Sequence, residues 1–251
     1  VSARRGSTAL IALNGVILGG IAVVVLGLVY VLLVMPALNR PEEAPPVLPA
    51  VEAYLDAVAG GDAAGALAMT ELDKAAFHVT STVLLDDEVL QAAQERISDA
   101  QVEDVEVSGS GGSSARTTVV YTLAGEQHET ELRWDYDEDA EEWRVLNGLV
   151  GTLSADGLGG DVVPVEVSGV TPEPGEVCFE ECQPMTSYAL FVGVYPVSAD
   201  LSGFEVHPDN TTPAQLVVTV TPELPTSLSY LAVPEGKPWP VVNGNPTDPS
   251  P

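Results

Sequence analysis

Apolar residues follow three different rhythms along this chain. From Ala9 to Met35 they run almost unbroken, ALIALNGVILGGIAVVVLGLVYVLLVM, with Asn14 the one side chain clearly costly in hydrocarbon. A bilayer core needs about 20 helical residues, so the run predicts a transmembrane helix over 9–35. A cleaved signal peptide fits less well, because its apolar region is about 7–15 residues long and ends in a small-x-small site. A cut after Ala37 would instead put Met35 two positions earlier. Between residues 50 and 97 the rhythm becomes helical. Val51, Tyr54, Leu55 and Val58 share one face before Gly60 and Gly61, Asp62 caps a short helix over 63–69, and Asp86 caps a third predicted over 87–97, with Leu90, Ala93 and Ile97 on one side. After Ser98 the pattern alternates.

The alternating part predicts four strands in a meander, through Val102, Val105 and Val107, RTTVVYTL, HETELRW and WRVL, separated by GSGGSS, AGEQ and DYDEDAEE. Val119, Tyr121, Leu123, Leu132 and Trp134 would face one way. Helices followed by an antiparallel sheet make an α+β unit over 50–153. A Pro-rich stalk over 36–49 precedes it, and the Gly-rich SADGLGGD, 154–161, reads as a hinge. Beyond it VVPVEV, CFEEC, YALFVGVYPVS, FEV, QLVVTVT and SLSYLAV predict an all-β, sandwich-like domain over 162–233, with a disordered tail over 234–251. The expected architecture is thus a single-pass transmembrane helix, an α+β domain with helices on a curved antiparallel sheet, and a small β-sandwich.

Charge divides the chain along the same lines. Of 37 acidic and 9 basic residues, residues 1–40 hold three arginines and no acid, so the net charge of -28 is concentrated in the remainder. A polyanionic surface repels phosphate, which excludes nucleic acid as a partner and disfavours anionic lipid headgroups. Arg4 and Arg5 before the apolar run place residues 1–8 in the cytoplasm and the bulk of the chain outside. Gly15 and Gly19 form a G-x-x-x-G pair, either a weak homodimer contact through that helix or the ordinary glycine content of such segments.

The order AVEAYLDAVAGGDAAGALAMT, LLDDEVLQAA and a meander closing on EWRVLNGL resembles the NTF2-like (cystatin-like) superfamily. More narrowly it resembles the lumazine-binding-like, DUF4878-type domains of exported actinobacterial membrane proteins. VPVEVSGV and LFVGVYPVSA resemble PEGA-like or Ig-like β modules. The first resemblance implies a cone between sheet and helices, lined by Tyr54, Leu55, Phe77, His78, Tyr121 and Trp134, which some relatives use for ligands or acid/base catalysis. His78 or Asp56 would be the base there, although no residue pair is spaced so as to demand it, and the alternative is that Tyr54, Tyr121 and Trp134 are core.

Cys178 and Cys182 in CFEEC predict a local disulfide outside the cell, with free thiols and a redox pair as alternatives. Asp135, Asp137 and Asp139 match the first ligands of an EF-hand loop, but Ala140 and Leu146 stand where Gly and Glu are required, which favours a solvated hairpin tip. No catalytic motif occurs, and no cofactor is implied. The expected role is a non-enzymatic binding platform for a protein or small molecule. The alternatives are an NTF2-like enzyme or an acidic surface attracting divalent cations or basic partners.

Overall fold

The computed structural model describes residues 44–71, 81–158, 161–172, 176–178, 182–184, 187–239, 241–242 and 245–246. The apolar run 9–35, with Gly15 and Gly19, lies outside the described residues. Among those described, no helix is long and apolar enough to cross a membrane.

Among the described residues three short helices come first: α1 (Leu48–Gly60), α2 (Ala63–Ala68) and α3 (Asp87–Gln91). The helical spacing of Val51, Tyr54, Leu55 and Val58 is realised in α1, where all four are buried. Gly61 ends this helix at φ 83°, a left-handed conformation that a side chain would resist. Asp62 caps α2 by accepting from Gly65 N–H at 2.7 Å, and Asp86 caps α3 by accepting from Glu88 N–H at 2.7 Å. The stalk expected over 36–49 is displaced at its end by structure: Val47 is buried, Leu48 opens α1, and Pro45 O accepts from Trp143 Nε1 at 2.9 Å.

The third helix stops six residues short of its predicted end. Gln94 N–H donates to Val194 O at 2.8 Å, and β1 (Glu95–Arg96) pairs antiparallel with β11 (Gly193–Ala199). This pairing takes the segment away from the helix. The Arg96 guanidinium then caps two helix ends, donating to Ala59 O at 3.0 Å and to Gln91 O at 3.2 Å. Leu90 and Ile97 are both buried, Leu90 in α3 and Ile97 directly after β1.

The predicted meander forms β2 (Ser98–Ser108), β3 (Ser114–Leu123), β4 (Glu126–Asp137) and β5 (Glu142–Val145), in that spatial order. In the β3–β4 register Ala115 stands opposite Trp134 and Thr117 opposite Leu132, so alternate residues share a face. That face buries Val119, Tyr121, Leu123, Leu132 and Trp134.

The expected separation into an α+β unit and an independent β domain does not hold. Strand β6 (Val150–Asp156) includes three of the supposed hinge residues, yet it is the central strand of a three-stranded sheet. It lies antiparallel to β10 (Ser187–Phe191) and parallel to β14 (Thr226–Ser229). A second sheet places β11 between β13 (Gln215–Val220) on one side and β1 and β7 (Val165–Val167) on the other. Leu153, Ala155, Tyr188, Leu190 and Leu228 of the first sheet meet Val165, Val167, Tyr195, Val197, Val218 and Val220 of the second in one buried cluster, joined by Leu84 and Val89 from the helical segment. Helices this short, with α3 contributing to the β core, do not build a helix-on-sheet cone. Among the described residues the fold is mostly β-sheet rather than a helix-on-sheet NTF2 cone, and those from Pro45 onward make one unit.

One glycine permits the close approach of these sheets. A Cβ on Gly151 would lie 2.3 Å from Thr221 O, so the strand crosses it with no room for a side chain. The run YALFVGVYPVS breaks at buried Val192, after which Gly193 starts the strand in the other sheet.

Beyond the sheets, β12 (Phe204–Val206) pairs with β15 (Ala232–Pro234). The predicted disordered tail is corrected over 234–239: Lys237 pairs with Asp161, and Trp239 Nε1 donates to Glu205 Oε2 at 3.3 Å. Short backbone pairings β8 (Glu176–Cys178) with β9 (Cys182–Pro184), and β16 (Val241–Val242) with β17 (Asn245–Pro246), complete the set.

Candidate functional site

Of the side chains expected to line a cone, Tyr54, Leu55, Tyr121 and Trp134 are buried. Tyr54 and Trp134 are fully buried and meet edge to face, ring centroids 5.9 Å apart. Their polar atoms are committed: Tyr54 Oη accepts from Leu149 N–H at 2.7 Å, and Trp134 Nε1 donates to Thr117 Oγ1 at 3.0 Å. Burial pushes the Tyr54 phenol well above its usual pKa, so it stays neutral in the folded state. Leu55 is buried beside them, and Asp56 is exposed on the opposite face of α1. Phe77 and His78 lie outside the described residues.

Tyr121 is also buried, stacked on His128 at 5.4 Å between centroids. Its hydroxyl has no hydrogen-bond partner among the described residues. Burial, reinforced by the charge of Glu223, holds its pKa well above the ordinary value. Glu223 reaches this region from the segment between β13 and β14 and accepts from Thr130 Oγ1 at 2.5 Å. No local signal joins His128 and Thr130 to Glu223, since Glu223 lies 93 residues from Thr130.

Asp135 and Asp137 come together with Glu71, Ser114, Glu138 and Arg144 around a surface cleft of about 400 Å³ between the start of β3 and the β4–β5 hairpin. Their oxygens serve the turn. Asp135 Oδ1 accepts from Ser114 Oγ at 3.0 Å, and Asp137 Oδ1 accepts from Asp139 N–H at 3.0 Å and Ala140 N–H at 3.1 Å. Asp139 is exposed at the tip. Among the described residues no three carboxylate, histidine or cysteine side chains are grouped to hold a metal ion.

Cys178 and Cys182 stand directly opposite each other in the backbone register of β8 and β9. A shallow groove of about 440 Å³ crosses the second sheet between Glu166, Pro196 and Val217.

Few cations offset the acids at the surface. Arg96 is spent on backbone carbonyls, while Arg133 pairs with Glu131, Arg144 with Glu142 and Lys237 with Asp161. Exposed Asp99, Glu103, Asp104, Glu106, Glu126 and Glu129 form no ion pair among the described residues. No family model matches the chain, and no curated protein matches it significantly.

Proposed function

We propose that this chain is a non-catalytic binding module whose carboxylate surface engages a cationic partner. The observation that carries this reading is the imbalance of 37 acidic against 9 basic residues, in which the described cations are mostly consumed by local contacts. Field strength near such a surface raises the local concentration of positively charged ligands and their association rate. The commitment of Tyr54 and Trp134 to core packing supports binding at the surface over chemistry in an interior cavity.

Isothermal titration of the full chain with oligolysine and oligoglutamate tests the proposal. Oligolysine should bind and oligoglutamate should not, and the affinity should fall steeply when salt rises from about 0.05 to 0.5 M, as the Debye length shrinks. Absence of oligolysine binding at low salt would overturn it.

A further inference from the structure

Resting on that reading, we infer that the edge of β2, unpaired among the described residues, is the docking site, and that it takes an extended partner segment of alternating aliphatic and basic residues as a fifth strand. The sheet β2-β3-β4-β5 has two edges with opposite fates. At β5 the edge is closed by the chain itself: Val145 N–H donates to Met69 O at 2.8 Å, and Glu71 N–H donates to Val145 O at 2.9 Å. At β2 the outward backbone groups make no hydrogen bond to any described residue, along a strand of 11 residues. Edges of that length are normally shortened, covered or blocked, because alternate residues present N–H and C=O groups ready for another strand.

The side chains specify what would fit. Val105 and Val107 stand opposite Thr117 and Ala115, on the face that buries the core, yet they are 37% and 58% exposed. Asp104 and Glu106 stand opposite Thr118 and Arg116 on the other face. Register is regular from Asp104 to Ser108, while irregularities at Ser98/Gln101 and Val102/Asp104 mark the earlier part of the strand. A strand added here would therefore set aliphatic side chains beside Val105 and Val107 on one face, and Lys or Arg beside Asp104 and Glu106 on the other. Directly opposed unlike charges stabilise such pairs and like charges oppose them. The same rule disfavours a second copy, whose own Asp104 and Glu106 would approach this acidic row. Arg116 is a single cation against Glu103, Asp104 and Glu106, so the edge stays negative. Main-chain hydrogen bonds would supply affinity and the alternating side chains selectivity, as in β-strand addition generally.

The test uses the full chain and acetyl-(Lys-Val)4-amide, with a control of the same sequence N-methylated at every second amide. The unmodified peptide should bind and slow amide hydrogen exchange at residues 104–108. The N-methylated peptide keeps its charge but loses one row of donors, and should bind about tenfold or more weakly. The variant D104K/E106K, checked for unchanged circular dichroism and Tm, should weaken binding by about tenfold. Equal affinity for both peptides, or protection confined to other strands, would overturn docking at β2 while leaving cationic binding intact. Concentration-dependent pairing of two chains through residues 104–108 would also overturn it. Failure of both peptides to bind at low salt would instead remove the reading on which it rests.

Discussion

The hydroxyl of Tyr54 on α1 accepts a 2.7 Å hydrogen bond from the backbone N–H of Leu149, 95 residues later and one residue before β6 begins. This bond pins the helix that covers the meander to the strand at the centre of the next sheet. Gly148 makes the approach possible: its φ is 46°, and a Cβ there would lie 2.9 Å from the phenolic oxygen. Replacing Tyr54 by Phe keeps the ring against Trp134 but leaves the buried Leu149 N–H without an acceptor. The expected cost is about 1–3 kcal/mol, read as a lower urea midpoint at an unchanged m-value. An unchanged midpoint would mean that the bond contributes nothing net.

Trp134 and Thr117 offer a cleaner separation of packing from hydrogen bonding. Thr117 is 1% exposed, and its hydroxyl accepts from the indole N–H at 3.0 Å. Trp134→Phe removes ring volume and leaves that hydroxyl unpaired, so it should destabilise by about 2–4 kcal/mol. Thr117→Val strands the indole N–H and should cost about 1–3 kcal/mol. The double variant should lose less than the sum of the two, because neither polar group remains unpaired. Strict additivity in a double-mutant cycle would exclude coupling.

How far the sequence reveals the fold can be read from these same residues. Alternation through Val119, Tyr121, Leu123, Leu132 and Trp134 is a local signal, and the β3–β4 hairpin that enforces it is also local, so that buried face was legible. Leu153 and Ala155 alternate too, but their sheet partners lie in β10 and β14, far along the chain. The Gly and Asp content of SADGLGGD therefore outweighed the strand signal and suggested a boundary. The helical spacing through Ile97 was overruled in the same manner, by pairing of Glu95 and Arg96 with Val194 and Gly193. The buried aromatics were visible as candidates, but the bonds that remove them from solvent chemistry were not. Val105 and Val107 could be seen as strand residues, whereas their place on an open edge depends on which strands find partners.

The acidic hairpin tip should behave as a turn and not as a cation site. Asp137 satisfies the N–H groups of Asp139 and Ala140, so Asp137→Ala should lower stability by about 0.5–1 kcal/mol, the scale of a lost local cap in a solvent-exposed position. Millimolar calcium should give the same Tm as sodium chloride of equal ionic strength. A specific upward shift with calcium, abolished in the Asp137→Ala variant, would show instead that these carboxylates rearrange around the ion.

Alkaline pH should unfold the chain cooperatively, and the buried tyrosines set where this begins. Tyr54, Tyr121, Tyr188, Tyr195 and Tyr230 all have pKa values raised above the ordinary 10.0, each chiefly by burial. For a group raised in the folded state the sign is fixed by linkage. Below about pH 10 both folded and unfolded phenols are protonated and the contribution to stability is fully present. Above it the unfolded phenols release their protons while the folded ones retain theirs, so stability falls as pH rises toward the folded pKa values. The hydroxyl of Tyr195 also donates to Phe191 O at 2.8 Å, a bond that ionisation would destroy. Tyrosinate absorbance and loss of the far-ultraviolet β signal should therefore rise together in one transition above pH 10. Ionisation of most tyrosines ahead of any loss of β structure would show that their hydroxyls reach solvent, contrary to the packing of Tyr54, Tyr121 and Tyr195.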